Sequence, residues 1–116
     1  MSRRLETFPG NIAGSVFSKT GDAIVPPTDC NFVVITTLEA TTFSNTLGLV
    51  AETATRYANT EDAAGDLAAD AETTLEGSGG EEVVVGDSFP ANCTIFGKYT
   101  KITLQSGSII AYYARK

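Results

Sequence analysis

The chain contains no histidine and no tryptophan, and only two cysteines and one methionine in 116 residues. Without histidine, the His-dependent triads and dyads of nucleophilic catalysis are excluded. With two cysteines as the only soft ligands, so is a four-ligand Cys/His zinc site made by one chain. Basic residues are scarce as well, eight Lys and Arg against fourteen Asp and Glu, a net charge of −6. That balance opposes a protein that holds nucleic acid by neutralising phosphates, and no stacked platform of aromatics and bases is present for single strands. Unbroken apolar runs such as Val33-Val34-Ile35 fall far short of the roughly 20 residues a membrane-spanning helix needs. Neither a nucleic acid nor a membrane is therefore expected as a partner. Arg3 and Arg4 give the start early positive charge, but Leu5 to Gly10 follows where a signal peptide would place its apolar stretch, so no secretion signal is read.

What is present suits one small folded domain over residues 1–116, with 42% apolar residues and one modest core. Its charge is segregated. Ten of the fourteen acids fall between Glu52 and Asp87, with Arg56 the only base among them, while Arg3, Arg4, Arg115 and Lys116 sit near the ends. These bases are either solvated tails or docking points for an acidic neighbour. Cys30 and Cys93 each precede an apolar run, which suits free buried thiols at strand starts; a disulfide is the alternative if those strands are neighbours.

Strand signals dominate. Residues 13–19 give a short strand ending at Thr20-Gly21-Asp22, and Pro26-Pro27-Thr28-Asp29 punctuates the start of a Val-, Ile-, Phe- and Thr-rich strand or strand pair over residues 30–43. From residue 53 to 80 large apolar residues nearly vanish, predicting an acidic insertion or long loop. A helix over 61–72 would stack Asp62, Asp66 and Asp70 as like charges on one side. Residues 94–105 and 108–113 read as two strands joined at Ser106-Gly107, a pair suited to a two-residue hairpin. That turn would set Leu104 against Ile109 and Ile102 against Ala111, all four on the core face. Upstream, the alternation breaks near Thr100-Lys101, predicting a β-bulge that returns Tyr99 and Ile95 to the core, with Gly97 serving the bend. The last strand is apolar on both faces, so Ile110 and Tyr112, opposite Ile109 and Ala111, are expected to meet another layer or another subunit. The fold class expected is all-β, a small β-sandwich or barrel with a long acidic insertion and a C-terminal β-hairpin.

Catalytic and ligand motifs are missing from this pattern. The carboxylates lie in a glycine-flanked stretch without the apolar burial that raises one pKa for acid catalysis. Gly77-Ser78-Gly79-Gly80 lacks the Gly-Lys-Ser/Thr of a phosphate loop, and Asn92-Cys93-Thr94 matches a glycosylation acceptor only formally. Asp62, Asp66, Asp70 and Glu72 lack the ligand spacing of a calcium loop. No enzyme, cofactor or metal site is expected.

One stretch carries a family likeness: Phe89-Pro90-Ala91-Asn92-Cys93-Thr94-Ile95-Phe96-Gly97-Lys98-Tyr99-Thr100, then Ile102-Thr103-Leu104-Gln105-Ser106-Gly107-Ser108-Ile109-Ile110-Ala111-Tyr112. It resembles a C-terminal hairpin of small structural proteins of tailed bacteriophages, with Asn92-Cys93 where that pattern favours Gly-Thr and Lys98 for Arg. Residues 29–39 with Thr41-Thr42-Phe43 look like the family's first strand and its continuation. The resemblance covers about half the chain. It implies a capsid decoration or cement protein on the virion surface, a β-rich homo-oligomer, with a trimer favoured, that strengthens the shell by bridging units of the major capsid protein. On that reading Ile110 and Tyr112 help form the subunit interface, and a basic N-terminal arm over residues 1–12, with Arg3, Arg4 and Phe8, reaches over the capsid. Alternatives are a tail, neck or fibre-associated virion protein, and a surface glycan-binding module, for which the insertion offers only Tyr57 as an aromatic.

Overall fold

A computed structural model describes residues 12–19, 21–44, 47–52, 57–60 and 83–116. All regular structure among them is β: β1 (Ile12–Lys19), β2 (Cys30–Thr37), β3 (Thr42–Phe43), β4 (Leu49–Ala51), β5 (Thr94–Ile102), β6 (Leu104–Ser106) and β7 (Ser108–Arg115). The long strands are those the β-branched and aromatic residues predict. The chain enters β2 through a turn in which Cys30 N–H donates to the Pro27 carbonyl at 3.0 Å, with Asp29 at φ 66°. Proline and a short polar residue tolerant of left-handed geometry make that corner.

Five strands form one antiparallel sheet in the order β1-β7-β2-β5-β4, and β3 pairs with β6 in a second, two-stranded sheet. Both β2 and β5 feed this small sheet: β2 runs on into β3, and β5 continues through Thr103 into β6. At that corner Thr103 N–H donates to the Gly48 carbonyl at 2.8 Å, and its own carbonyl accepts from Ser44 N–H at 3.0 Å.

The expected C-terminal hairpin does not form. β7 inserts between β1 and β2, and β2 separates it from β5. Ile109 therefore faces Thr37 and Ser18, and Ala111 faces Ile35 and Val16, where Leu104 and Ile102 had been expected. The reason lies at the corner. β6 is already committed to β3 through Phe43 opposite Leu104 and a 2.7 Å hydroxyl pair between Thr42 and Ser106. Gly107, at φ +97°, then turns the chain against residues 40 and 41, where an added Cβ would lie 2.6 Å from the Ala40 carbonyl oxygen. The end of β2 takes up β7 from there, Leu38 N–H donating to the Ser108 carbonyl at 2.9 Å. Ile102, Leu104, Ile109 and Ala111 are all buried as expected, but in different pairings.

The expected bulge is present. Val50 faces Lys101 but Ala51 faces Tyr99, which leaves Thr100 as the extra residue. Tyr99 turns fully into the core and Ile95 packs against it. The tyrosine ring lies over Gly97, where a Cβ would meet Cε2 at 2.6 Å. Around it the core gathers Phe32, Ile35, Phe43, Leu49, Ile102 and Ile109, with Phe89 edge-on to Phe43 at 5.5 Å. Each such buried side chain contributes about 1.5–3 kcal/mol.

The boundary of the predicted insertion also moves. Residues 57–60, inside the 53–80 stretch, belong to the folded body: Thr60 is fully buried and Asn59 nearly so. Thr60 N–H donates to the Leu49 carbonyl at 3.0 Å, its hydroxyl accepts from Leu49 N–H at 2.9 Å, and it bridges in parallel to Val83. The acidic residues 61–82, with the helix considered over 61–72, lie outside the described residues.

Candidate functional site

Side chains of a strand alternate between the two faces of its sheet. In β7, Ile109 and Ala111 point into the core, so Ile110 and Tyr112 occupy the outer face, as the two-sided pattern predicts, and both are half-buried. The register extends this face across four strands. Phe17, Ile110, Thr36 and Thr94 make one cross-strand row, and Ser15, Tyr112, Val34 and Phe96 the next. The flanks are the exposed part: Phe17 is 56% and Phe96 72% accessible. Three strand spacings of about 4.8 Å and one row along the strands separate them, roughly 16 Å in all.

Charge lies at the two ends of the face. At one end are Lys19, whose Nζ stands 5.9 Å from the centre of the Phe17 ring, and the exposed Leu38. Ser108, opposite Lys19, donates its hydroxyl to Glu39 Oε2 at 2.8 Å. At the other end Lys98 follows Phe96 along β5. Its carbonyl accepts from Glu52 N–H at 2.8 Å, and the Glu52 carboxylate accepts from Asn31 Nδ2 at 3.3 Å. Among the described residues the face thus has an aromatic and aliphatic middle, with Lys19 and Glu39 at one end and Lys98, Lys101 and Glu52 at the other.

Among the described residues this face offers no nucleophile beside a base; what it offers is exposed apolar area, whose burial would be favourable. Among the described residues no group of three or more Cys, Asp or Glu side chains is placed to hold a metal, and no helix is long and apolar enough to cross a membrane. Among the described residues the one shifted ionisable group, Tyr99, is structural. Burial first, and the neighbouring Tyr57 second, push the Tyr99 phenol up to about 12. Its hydroxyl donates to the Ala58 carbonyl at 2.8 Å.

Cys30 and Cys93 are free thiols, half-buried rather than fully enclosed. They sit at opposite ends of the β2–β5 pair, since Cys30 opens β2 and the Cys93 carbonyl accepts from Thr37 N–H at its far end. Tyr57, the aromatic considered for sugar binding, is turned onto Tyr99 at 6.3 Å. Arg3, Arg4 and Phe8 lie outside the described residues. Sequence reasoning nominated Ile110 and Tyr112 but passed over Phe17 and Phe96. A signal for Phe17 was available, because it alternates in phase with Ser15 and Lys19 and so stands on the polar side of β1.

No protein-family model matches this chain, and neither a curated protein nor a solved structure does so.

Proposed function

We propose that this chain is a virion structural protein that decorates and stabilises the shell of a tailed phage, bound as a homo-oligomer to the major capsid protein on the capsid surface. The observation that carries this reading is the outer face of the five-stranded sheet, where Phe17, Val34, Phe96, Ile110 and Tyr112 form an apolar strip on a small β body. A protein that acts by contact needs such a strip and needs no catalytic residue, and apolar patches of this kind mark interaction surfaces. The likeness of residues 89–112 to phage structural proteins supplies the class of partner. In this reading the body is a small curled sandwich or barrel, and the acidic stretch between Thr60 and Val83 is an insertion in it. Ile110 and Tyr112 serve contact between subunits, a trimer being favoured. Arg3, Arg4 and Phe8 touch the capsid, and no cofactor or chemical reaction is involved.

Quantifying this chain in purified virions produced from its own genome tests the reading. Hundreds of copies per particle are expected. A handful would move it to the tail, neck or fibres, and its absence from virions would overturn the proposal.

A further inference from the structure

The chain leaves the folded body after Thr60 and re-enters it at Val83, and these two residues lie side by side. They form a parallel bridge, roughly 4.8 Å across, and Val83 N–H donates to the Asn59 carbonyl at 2.8 Å. Both stems are fastened. Thr60, fully buried, is held to Leu49, and Asn59 beside it is nearly enclosed. On the return side Val83 packs against the core and Val84 N–H donates to Asp87 Oδ2 at 3.0 Å. Phe89 then exchanges two backbone hydrogen bonds with Thr41, at 2.8 and 2.9 Å. Tolerance of a deletion depends on the burial and hydrogen bonding of the backbone at its ends, and here both ends are fixed by bonds that stay within the body.

The 22 residues between these stems offer a core little, since Leu67 and Leu75 are their only large apolar side chains. What they hold is charge. Eight of the fourteen acids and none of the bases lie in 61–82, a charge of −8, and the remaining residues, with six acids and eight bases, carry +2. We propose that residues 61–82 are an acidic appendage that the body does not need in order to fold, and that their charge keeps copies of the body dispersed. A net charge near zero favours association, the more so where apolar side chains are exposed, and this body exposes Phe17, Val25, Leu38, Val84 and Phe96. Repulsion between copies scales with the product of their charges, so between −6 and +2 it falls about ninefold. The inference extends the insertion named above and rests on that part of the reading alone, while copy number in virions tests the decoration role separately.

Three variants of the full chain test it. In one, a linker of about twelve Gly and Ser residues replaces 61–82, long enough for the return crossing that parallel neighbours need. In the second, residues 61–82 keep their composition but are shuffled in order. In the third, the same linker replaces 57–83 and so removes both stems. Thermal unfolding followed by circular dichroism reads folding. Light scattering over a concentration series reads association, at low salt where charge acts over the longest range. The first two variants are expected to unfold within about 4 °C of wild type, because halving a loop changes its closure cost little. The third should unfold at least about 10 °C lower or fail to fold, having lost Asn59, Thr60 and their hydrogen bonds. The shuffled variant should stay dispersed like wild type, while the linker variant associates at lower protein concentration. A linker or shuffled variant that unfolds clearly below that range, or a third variant as stable as wild type, would overturn the claim on folding. A linker variant as dispersed as wild type, or a shuffled one that associates like the linker variant, would overturn the claim on charge.

Discussion

Phe17 and Phe96 stand on the same face of one sheet, at its two flanks, with β7 and β2 between them. Both remain more than half exposed, while Ile109, on the opposite side of β7, is completely enclosed. The two faces therefore respond differently to substitution. Phe17→Asp and Phe96→Asp in the separate chain should shift stability by no more than about 1 kcal/mol, as surface changes do. Ile109→Ala should cost about 2–5 kcal/mol through the cavity it leaves. Urea unfolding of dilute protein distinguishes them; equal losses at the three sites would mean that the outer face is part of the core.

Glycines 14 and 97 each lie beneath a tyrosine ring, with different room to adapt. A Cβ at Gly97 would come within 2.6 Å of Tyr99, which is fully enclosed and held by its hydrogen bond to Ala58. A Cβ at Gly14 would meet the ring end of the half-exposed Tyr113, at 2.5 Å from Cζ. Gly97→Ala should therefore destabilise by about 1–3 kcal/mol as an overpacked core position, and Gly14→Ala by less, because Tyr113 can swing outward. Thermal unfolding of the two variants side by side checks the order.

Thr60 and Leu49 share three hydrogen bonds: Thr60 N–H to the Leu49 carbonyl, Leu49 N–H to the Thr60 hydroxyl, and a longer one at 3.4 Å from that hydroxyl to the Leu49 carbonyl. Thr60→Val keeps the shape and leaves the buried Leu49 N–H without that acceptor, at a cost of about 1–3 kcal/mol. For a domain of this size that lowers the melting temperature by roughly 4–8 °C per kcal/mol. An unchanged melting temperature would show that residues 57–60 are not fastened to the body.

Tyr99 links stability to alkaline pH. Its folded pKa of about 12 lies above the roughly 10 of an unfolded tyrosine, so between these values the unfolded chain has released a proton that the folded chain still holds. Stability is then constant below about pH 10 and falls as pH rises toward 12, by at most about 3 kcal/mol. Comparing unfolding free energies of wild type and Tyr99→Phe from about pH 8 to pH 11 isolates this contribution. The variant should lack it, and parallel curves would contradict the assignment.

Local pattern made the strands and the bulge readable. Alternation places Val16 inward and Phe17 outward, and the break at Thr100-Lys101 is visible because Tyr99 and Ile102 cannot both face the core without an extra residue between them. Strand partners were not readable in the same way. Ser106-Gly107 fits a tight hairpin taken alone, and only the commitment of β6 to β3 and the capture of Ser108 by Leu38 send β7 to the far side of β2. Thr60 was hidden for a related reason. A stretch dominated by alanine, aspartate and glycine conceals one buried threonine, whose partner Leu49 lies eleven residues upstream. Within the candidate site, Ile110 and Tyr112 stood out because an apolar residue on both faces of one strand is conspicuous. Phe96 gained its place beside Val34 through pairing between strands distant in sequence.

The most direct test of the decoration account is to add the purified chain to isolated shells, assembled from the major capsid protein of the same genome and lacking it, and to measure what sediments with them. The account predicts saturable binding at a fixed ratio to the capsid protein, with shells that then survive higher temperature. Free chain left entirely in the supernatant, at concentrations where it is folded, would contradict it.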